Sequence, residues 1–148
     1  MAHLVKLMIK LFNMQDPEDG PRADMFLPDW LLLFGIVLVL GGIIAGIALF
    51  GTLGYASLLI LVGASVLGVL AVMCWKNQSV RVLSDTEFEY TTFLGNKNVY
   101  RFDEINGLKQ NSDSMTLFVG DGKVHIESCA IITERFANLV NEALERLE

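Results

Sequence analysis

The sequence predicts a membrane α-helical hairpin joined to an α+β domain in which antiparallel strands are capped by one C-terminal helix. Residues 31–74 hold no charged side chain, amide or histidine, and such a run is about twice what one helix needs to cross a bilayer. Behind it, short stretches alternate apolar and polar residues between turn signals, the period of strands with one buried face. The final stretch changes to a period near 3.6, the mark of an amphipathic helix.

Residues 1–15 read as an amphipathic helix. Leu4, Leu7, Met8 and Leu11 fall at i, i+3, i+4 and i+7, with His3, Lys6, Lys10 and Asn13 opposite. The expected place is the cytoplasmic interface of the bilayer, with Lys6 and Lys10 as anchors toward lipid phosphates. Packing of the same face on protein is an equal alternative. Lys10 interrupts the apolar stretch and no small-residue cleavage site follows, so a cleavable signal peptide is not expected. Residues 16–29, rich in Asp, Glu, Pro and Gly, read as a hydrated connector.

The hairpin is expected over residues 30–75, with spans at 30–50 and 55–75 and a reversal at Gly51-Thr52-Leu53-Gly54. At roughly 1.5 Å per residue each span reaches about 31 Å, close to the hydrocarbon thickness. Trp30, Phe50, Tyr55 and Trp75 mark the four ends, and Trp30 and Trp75 are the expected interfacial anchors. Lys6, Lys10 and Arg22 precede the hairpin, Lys76 and Arg81 follow it, and the turn has no cation. The positive-inside rule then places both termini in the cytoplasm of a two-pass protein, with the plasma membrane (the inner membrane of a bacterium) as the expected location. Cys74 and Cys129 fit a reducing compartment, and a disulfide between them is not expected.

Small residues recur at helical spacing. Gly35, Gly42 and Gly46 share one face of the first span, and Ser57, Ala64, Gly68 and Ala71 share one face of the second. Such faces let helix backbones approach, so they are the candidate packing surfaces within the hairpin, with one face expected to be left for a second copy. The hydroxyls of Thr52, Tyr55, Ser57 and Ser65 are the polar groups at this depth, which disfavours a wet pore within one chain.

Residues 76–148 form the expected cytoplasmic domain. Val80 and Val82, Phe88 and Tyr90, Tyr100 and Phe102, Met115, Leu117 and Val119, and Val124 and Ile126 give the alternation. Turn chemistry falls at Ser84-Asp85-Thr86, Gly95-Asn96-Lys97, Asn111-Ser112-Asp113 and Gly120-Asp121-Gly122. Six or seven strands are expected, then a helix whose stripe is Ile132, Phe136, Leu139, Val140, Ala143, Leu144 and Leu147.

The net charge of −6 is unevenly laid out: residues 1–30 carry three basic and five acidic side chains, and residues 76–148 carry eight and twelve. Neither part is basic, which argues against nucleic acid as a partner and against strong capture of anionic head groups by the folded domain. His125 alternates with Val124 and Ile126 and points outward on its strand, and the domain has no second histidine for a metal site. Asp121, His125 and Ser128 lack the elbow and oxyanion donors of a hydrolase. Asp103-Glu104 suits a turn or helix start, and Gly120-Asp121-Gly122 a hairpin. No cofactor, metal or catalytic residue is expected.

On the strand Phe88-Glu89-Tyr90, the Gly95 turn, the Phe102-Asp103-Glu104-Ile105 corner and the Asp121-Gly122-Lys123 hairpin, residues 79–144 resemble the bacterial pleckstrin-homology-like domains of small membrane proteins. The resemblance implies a seven-stranded, partly open barrel plugged by the helix, a scaffold for binding rather than catalysis, and relatives that form rings. Eukaryotic relatives take phosphoinositides with basic residues around the first hairpin. Here that loop is Ser84-Asp85-Thr86, flanked by Glu87 and Glu89, so phosphoinositide binding is not expected. The reading is a self-associating, membrane-anchored cytoplasmic binding or scaffolding module. The alternative is an accessory or regulatory subunit of a larger membrane complex, with a holin-like assembly less favoured.

Overall fold

The computed structural model describes residues 23–147. The helix expected at 1–15, with Lys6 and Lys10, and residues 16–22 of the connector lie outside the described residues. Strand β1 (Met25–Phe26) leads into helix α1 (Asp29–Ala48), a single turn α2 (Phe50–Leu53) and helix α3 (Ala56–Asn77). Seven strands follow: β2 (Ser79–Val82), β3 (Glu87–Thr91), β4 (Lys97–Arg101), β5 (Ile105–Gln110), β6 (Ser114–Val119), β7 (Gly122–Glu127) and β8 (Ile131–Ile132). Helix α4 (Glu134–Glu145) closes the chain.

Helices α1 and α3 are both long and apolar enough to cross a membrane. Neither carries a proline in its interior, so the intrahelical ladder satisfies the backbone that lipid leaves unsolvated. Their outward side chains are exposed, from Leu33, Val37 and Ile44 to Leu59, Val62 and Leu67. Where they face each other, glycines of one helix receive the backbone or side chains such as Val39, Leu61 and Val72 of the other. A Cβ on Gly35 would sit 2.7 Å from the Gly68 carbonyl oxygen, and one on Gly68 only 2.5 Å from that of Gly35. Gly42 meets Ala64 and Gly46 meets Leu61, each with 2.6 Å left for a Cβ. Ser57 is buried and donates from Oγ to the Gly54 carbonyl at 2.8 Å, and Ala71 is half-buried. Gly35, Gly42, Gly46 and Gly68 thus serve packing inside the hairpin. Added Cβ atoms at Gly41 and Gly63 would meet nothing within 4 Å.

The reversal differs from the expected four-residue turn. Gly51 lies within the short helical turn, and the backbone swings at Gly54, whose φ of +56° sits in the left-handed region that favours glycine.

The strands form two antiparallel sheets, one ordered β4-β3-β2-β1-β8 and one ordered β5-β6-β7. They share one core and do not close into a barrel. Val80, Val82, Phe88 and Tyr90 fill it from the larger sheet, Ile105, Leu117, Val119, Val124 and Ile126 from the smaller, and Phe136, Val140 and Ala143 from α4. Each alternation expected to point inward does so. Tyr100 packs beside this core and its ring lies over Gly122, where an added Cβ would come within 2.5 Å of the hydroxyl, so β4 is held close to β7.

Four details correct the sequence reading. The connector is not hydrated throughout, because Met25 joins the sheet fully buried and Leu27 is buried beside it. Phe102 is buried in a 3-10 turn (Phe102–Glu104) rather than in a strand, since the chain must pass from one sheet to the other there. Ile132 belongs to β8, and with Leu147 it is exposed rather than part of the α4 stripe. The seven strands of residues 76–148 agree with the expected six or seven, but they lie in two sheets that do not close into the expected barrel, and β1 adds an eighth strand from the connector.

Candidate functional site

The described structure concentrates its unusual interactions where the hairpin joins the sheet. Strand β1 runs directly into α1 and α3 runs directly into β2, and the two strands pair, Met25 with Val80 and Phe26 with Ser79. The sheet is therefore continued by both helices of the hairpin.

Proline at the N-cap position of α1 holds an extended backbone (φ −69°, ψ 152°) and so sets the helix start. Asp29 follows in the first turn, where a carboxylate favours the positive helix end. Its Oδ1 accepts a hydrogen bond from Trp75 Nε1 at 3.0 Å, which ties the start of α1 to the last turns of α3. Trp75 packs with Leu27 and Leu32 in a second small core and is 3% exposed. The indole expected as an interfacial anchor is thus enclosed by the junction. Trp30 is 55% exposed and stands edge-on to Phe34. Cys74 and Cys129 both pack against the Trp75 core as free thiols.

Asp24 fastens the same region to α4. Its Oδ2 accepts from the Val82 backbone N–H at 2.8 Å and its Oδ1 from the Thr133 hydroxyl at 3.0 Å. Thr133 in turn caps α4, its Oγ1 accepting from the Phe136 N–H. Below the hairpin, Gln78 is buried and donates to the His125 carbonyl at 3.0 Å, and Asn77 donates to the Phe93 carbonyl at 2.9 Å. Helix α3 thus bonds to β7 and to the β3–β4 loop.

Beside Trp75 lies a cleft of about 260 Å³ floored by the outer face of the larger sheet. Val80, Val82, Phe88 and Tyr90 point into the core, so the alternating positions Ser79, Arg81, Glu89 and Thr91 point out into the cleft. Arg81 stands opposite Glu89 in the β2–β3 register, Lys97 Nζ lies 3.1 Å from Glu89 Oε1, and Lys76 closes the side next to the hairpin.

Elsewhere the titratable groups make local pairs. Arg101 holds Asp103 through two hydrogen bonds at 2.9 and 2.7 Å, which lowers the Asp103 carboxyl below its ordinary value and raises the guanidinium. Burial raises the Tyr90 phenol. His125 Nε2 meets Glu127 at 3.2 Å on the outer side of β7, and Nδ1 lies 3.4 Å from the Thr116 hydroxyl. His125 points outward, Asp121 sits in the β6–β7 turn, and Ser128 follows β7, exposed, with its backbone N–H on the Asp113 carbonyl. Among the described residues no group of three or more His, Cys, Asp or Glu is placed to hold a metal ion.

Sequence reasoning missed Asp24, Gln78 and the Arg81–Glu89–Lys97 group. The first two act through long-range bonds with no local signature. The third was legible in principle, since once β2, β3 and β4 are paired the outward positions follow. No family model matches the chain, and neither a curated protein nor a solved structure is significantly similar to it.

Proposed function

We propose that the chain is a membrane-anchored binding or scaffolding module: a two-pass hairpin in the plasma membrane, both termini cytoplasmic, carrying a small pleckstrin-homology-like domain without catalysis of its own. The observation that supports it most is the double connection at the junction. A domain tethered by one flexible linker would be free to roam, whereas here β1 and β2 pair at the helix ends and Trp75 bonds Asp29, so the domain is fixed to the end of the hairpin. Such a mounting suits a part that presents a surface at a fixed height and orientation. What supports the pleckstrin-homology-like reading is a three-stranded meander, a corner at Phe102, a second three-stranded sheet and a closing helix, to which β1 and β8 are added. Self-association belongs to the proposal through the outward helix faces, because the inward glycines are taken up within the hairpin.

The test is extraction of the full chain from membranes in mild detergent, with measurement of the mass of the intact complex. A homogeneous homo-oligomer supports the scaffold. Stoichiometric co-purification of another membrane protein favours the accessory-subunit reading, and recovery of the chain in the soluble fraction before detergent overturns the membrane placement.

A further inference from the structure

We propose that Cys74 and Cys129 are a redox pair: hydrogen peroxide joins them as a disulfide within one chain, and the bond locks the hairpin to the sheet domain. The inference goes beyond the scaffolding reading and stands on the junction itself, so it does not depend on where the membrane lies.

The two thiols lie far apart in sequence and the fold brings them to one place. Both are half-buried and packed against the small core of Leu27, Leu32 and Trp75. Cys74 reaches that core from α3 as the residue before Trp75, whose indole is bonded to Asp29 in the first turn of α1. Cys129 reaches it from the turn between β7 and β8, which the Ala130 N–H closes on the Glu127 carbonyl at 3.0 Å. The strand register explains why this turn arrives there. Phe26 pairs with Ile131, and one step further along the antiparallel pair Leu27 and Ala130 come together in the same core. Cys129 is then level with the start of α1, where Trp75 is held. Cys74 faces the same way, since its sulfur is near enough to Cys129 and to Glu127, at the end of β7, for their charges to act on it.

The chemistry needs one co-reactant, the peroxide. A thiolate sulfur attacks one peroxide oxygen, the O–O bond breaks, and a sulfenic acid forms while the departing hydroxide takes up the thiol proton as water. The second sulfur then attacks the sulfenic sulfur: the S–S bond forms, the S–O bond breaks, and the oxygen leaves as a second water with the second thiol proton. Two electrons pass from the sulfur pair to the peroxide. A half-buried setting admits a small oxidant and hinders the thiol of another chain, which favours the bond within one chain. The bond would tie α3 covalently to the β7–β8 turn, where the reduced junction relies on hydrogen bonds such as Gln78 to the His125 carbonyl and Trp75 to Asp29. Because a cross-link constrains the unfolded chain, the oxidised protein should be the more stable form.

The test uses the full chain in mild detergent, reduced, treated with hydrogen peroxide and then alkylated with N-ethylmaleimide. Intact mass should show both thiols alkylated before peroxide and neither after it, with the chain still single on a non-reducing gel and peptide mapping linking Cys74 to Cys129. Tm should rise by at least about 5 °C and fall back on addition of dithiothreitol. Cys74→Ser and Cys129→Ser should each leave a sulfenic acid that dimedone traps, without the gain in Tm. A disulfide needs Cα atoms within about 7 Å, so the linked peptide also checks the convergence at the junction. Two alkylatable thiols after peroxide, links found only between chains, a sulfinic acid in place of the bond, or a linked chain that melts no higher than the reduced one would each overturn the redox pair.

Discussion

Replacing Phe136 with alanine tests how the two sheets are held over one core. Phe136 is 1% exposed, the largest side chain that α4 buries, and its ring lies 5.8 Å from that of Phe88 and 6.2 Å from that of Phe102. Val140 and Ala143 are the other buried residues of the helix and cannot fill the space left. A buried phenylalanine cut to alanine costs about 3 to 5 kcal/mol, from lost transfer energy and the cavity that remains. For a unit of this size that lowers Tm by at least about 10 °C. The full chain is the proper material, because an isolated fragment from residue 76 would lack β1, which pairs with both β2 and β8. Thermal unfolding in detergent, followed by near-ultraviolet circular dichroism, gives the number. Arg135→Ala, one residue away and exposed, should change Tm by no more than a degree or two, since an exposed ion pair contributes at most about 1 kcal/mol. A Phe136→Ala protein melting within about 3 °C of wild type would show that α4 does not close the core.

Gly68→Ala should loosen the hairpin at a cost of about 1 to 3 kcal/mol, because its Cβ would meet the Gly35 carbonyl and Val39, while Gly63→Ala, with open space around it, should be neutral or slightly stabilising; the melting temperatures of the two variants in detergent decide. Asp24→Ala removes the acceptor of two hydrogen bonds and should cost about 1 to 3 kcal/mol, with faster amide exchange at Val82 and Phe136 than elsewhere in the core. Tyr90 has a folded-state pKa raised by burial, so its contribution is present below the ordinary phenol value of about 10 and is lost as pH rises beyond it. Denaturant unfolding across the alkaline range should show a steeper decline for wild type than for Tyr90→Phe, and parallel curves would contradict the assignment.

The parts of the fold that the sequence shows plainly are those governed by local periodicity. The uncharged run is long enough to identify itself, and the alternation at Val80, Val82, Phe88 and Tyr90 names the core side of its strands because a period of two admits only two choices. Gly35, Gly42, Gly46 and Gly68 are legible as packing residues, but their number suggested spare surface that the hairpin itself uses. Two-residue strands carry no period, so β1 and β8 are invisible in the sequence, and with them the return of residues 24–27 to the sheet. The bond of Trp75 to Asp29, forty-six positions away, is a tertiary fact that no local pattern announces. The cleft escaped notice for a related reason, since counting charge along the chain averages over the cross-strand pairing that gathers Arg81, Glu89 and Lys97.

The central claim is that the hairpin crosses the membrane and the sheet domain sits on the cytoplasmic side against it. Single cysteines at Thr52, in the exposed turn at the far end of the hairpin, and at Asn96, in the exposed β3–β4 loop, are the direct probes. They are to be labelled in intact cells with a membrane-impermeant maleimide and compared with the unsubstituted chain, whose Cys74 and Cys129 are half-buried. The account predicts that Thr52→Cys reacts in intact cells and Asn96→Cys only after the membrane is opened. Labelling of Asn96→Cys in intact cells, or equal protection of both positions until lysis, would contradict it.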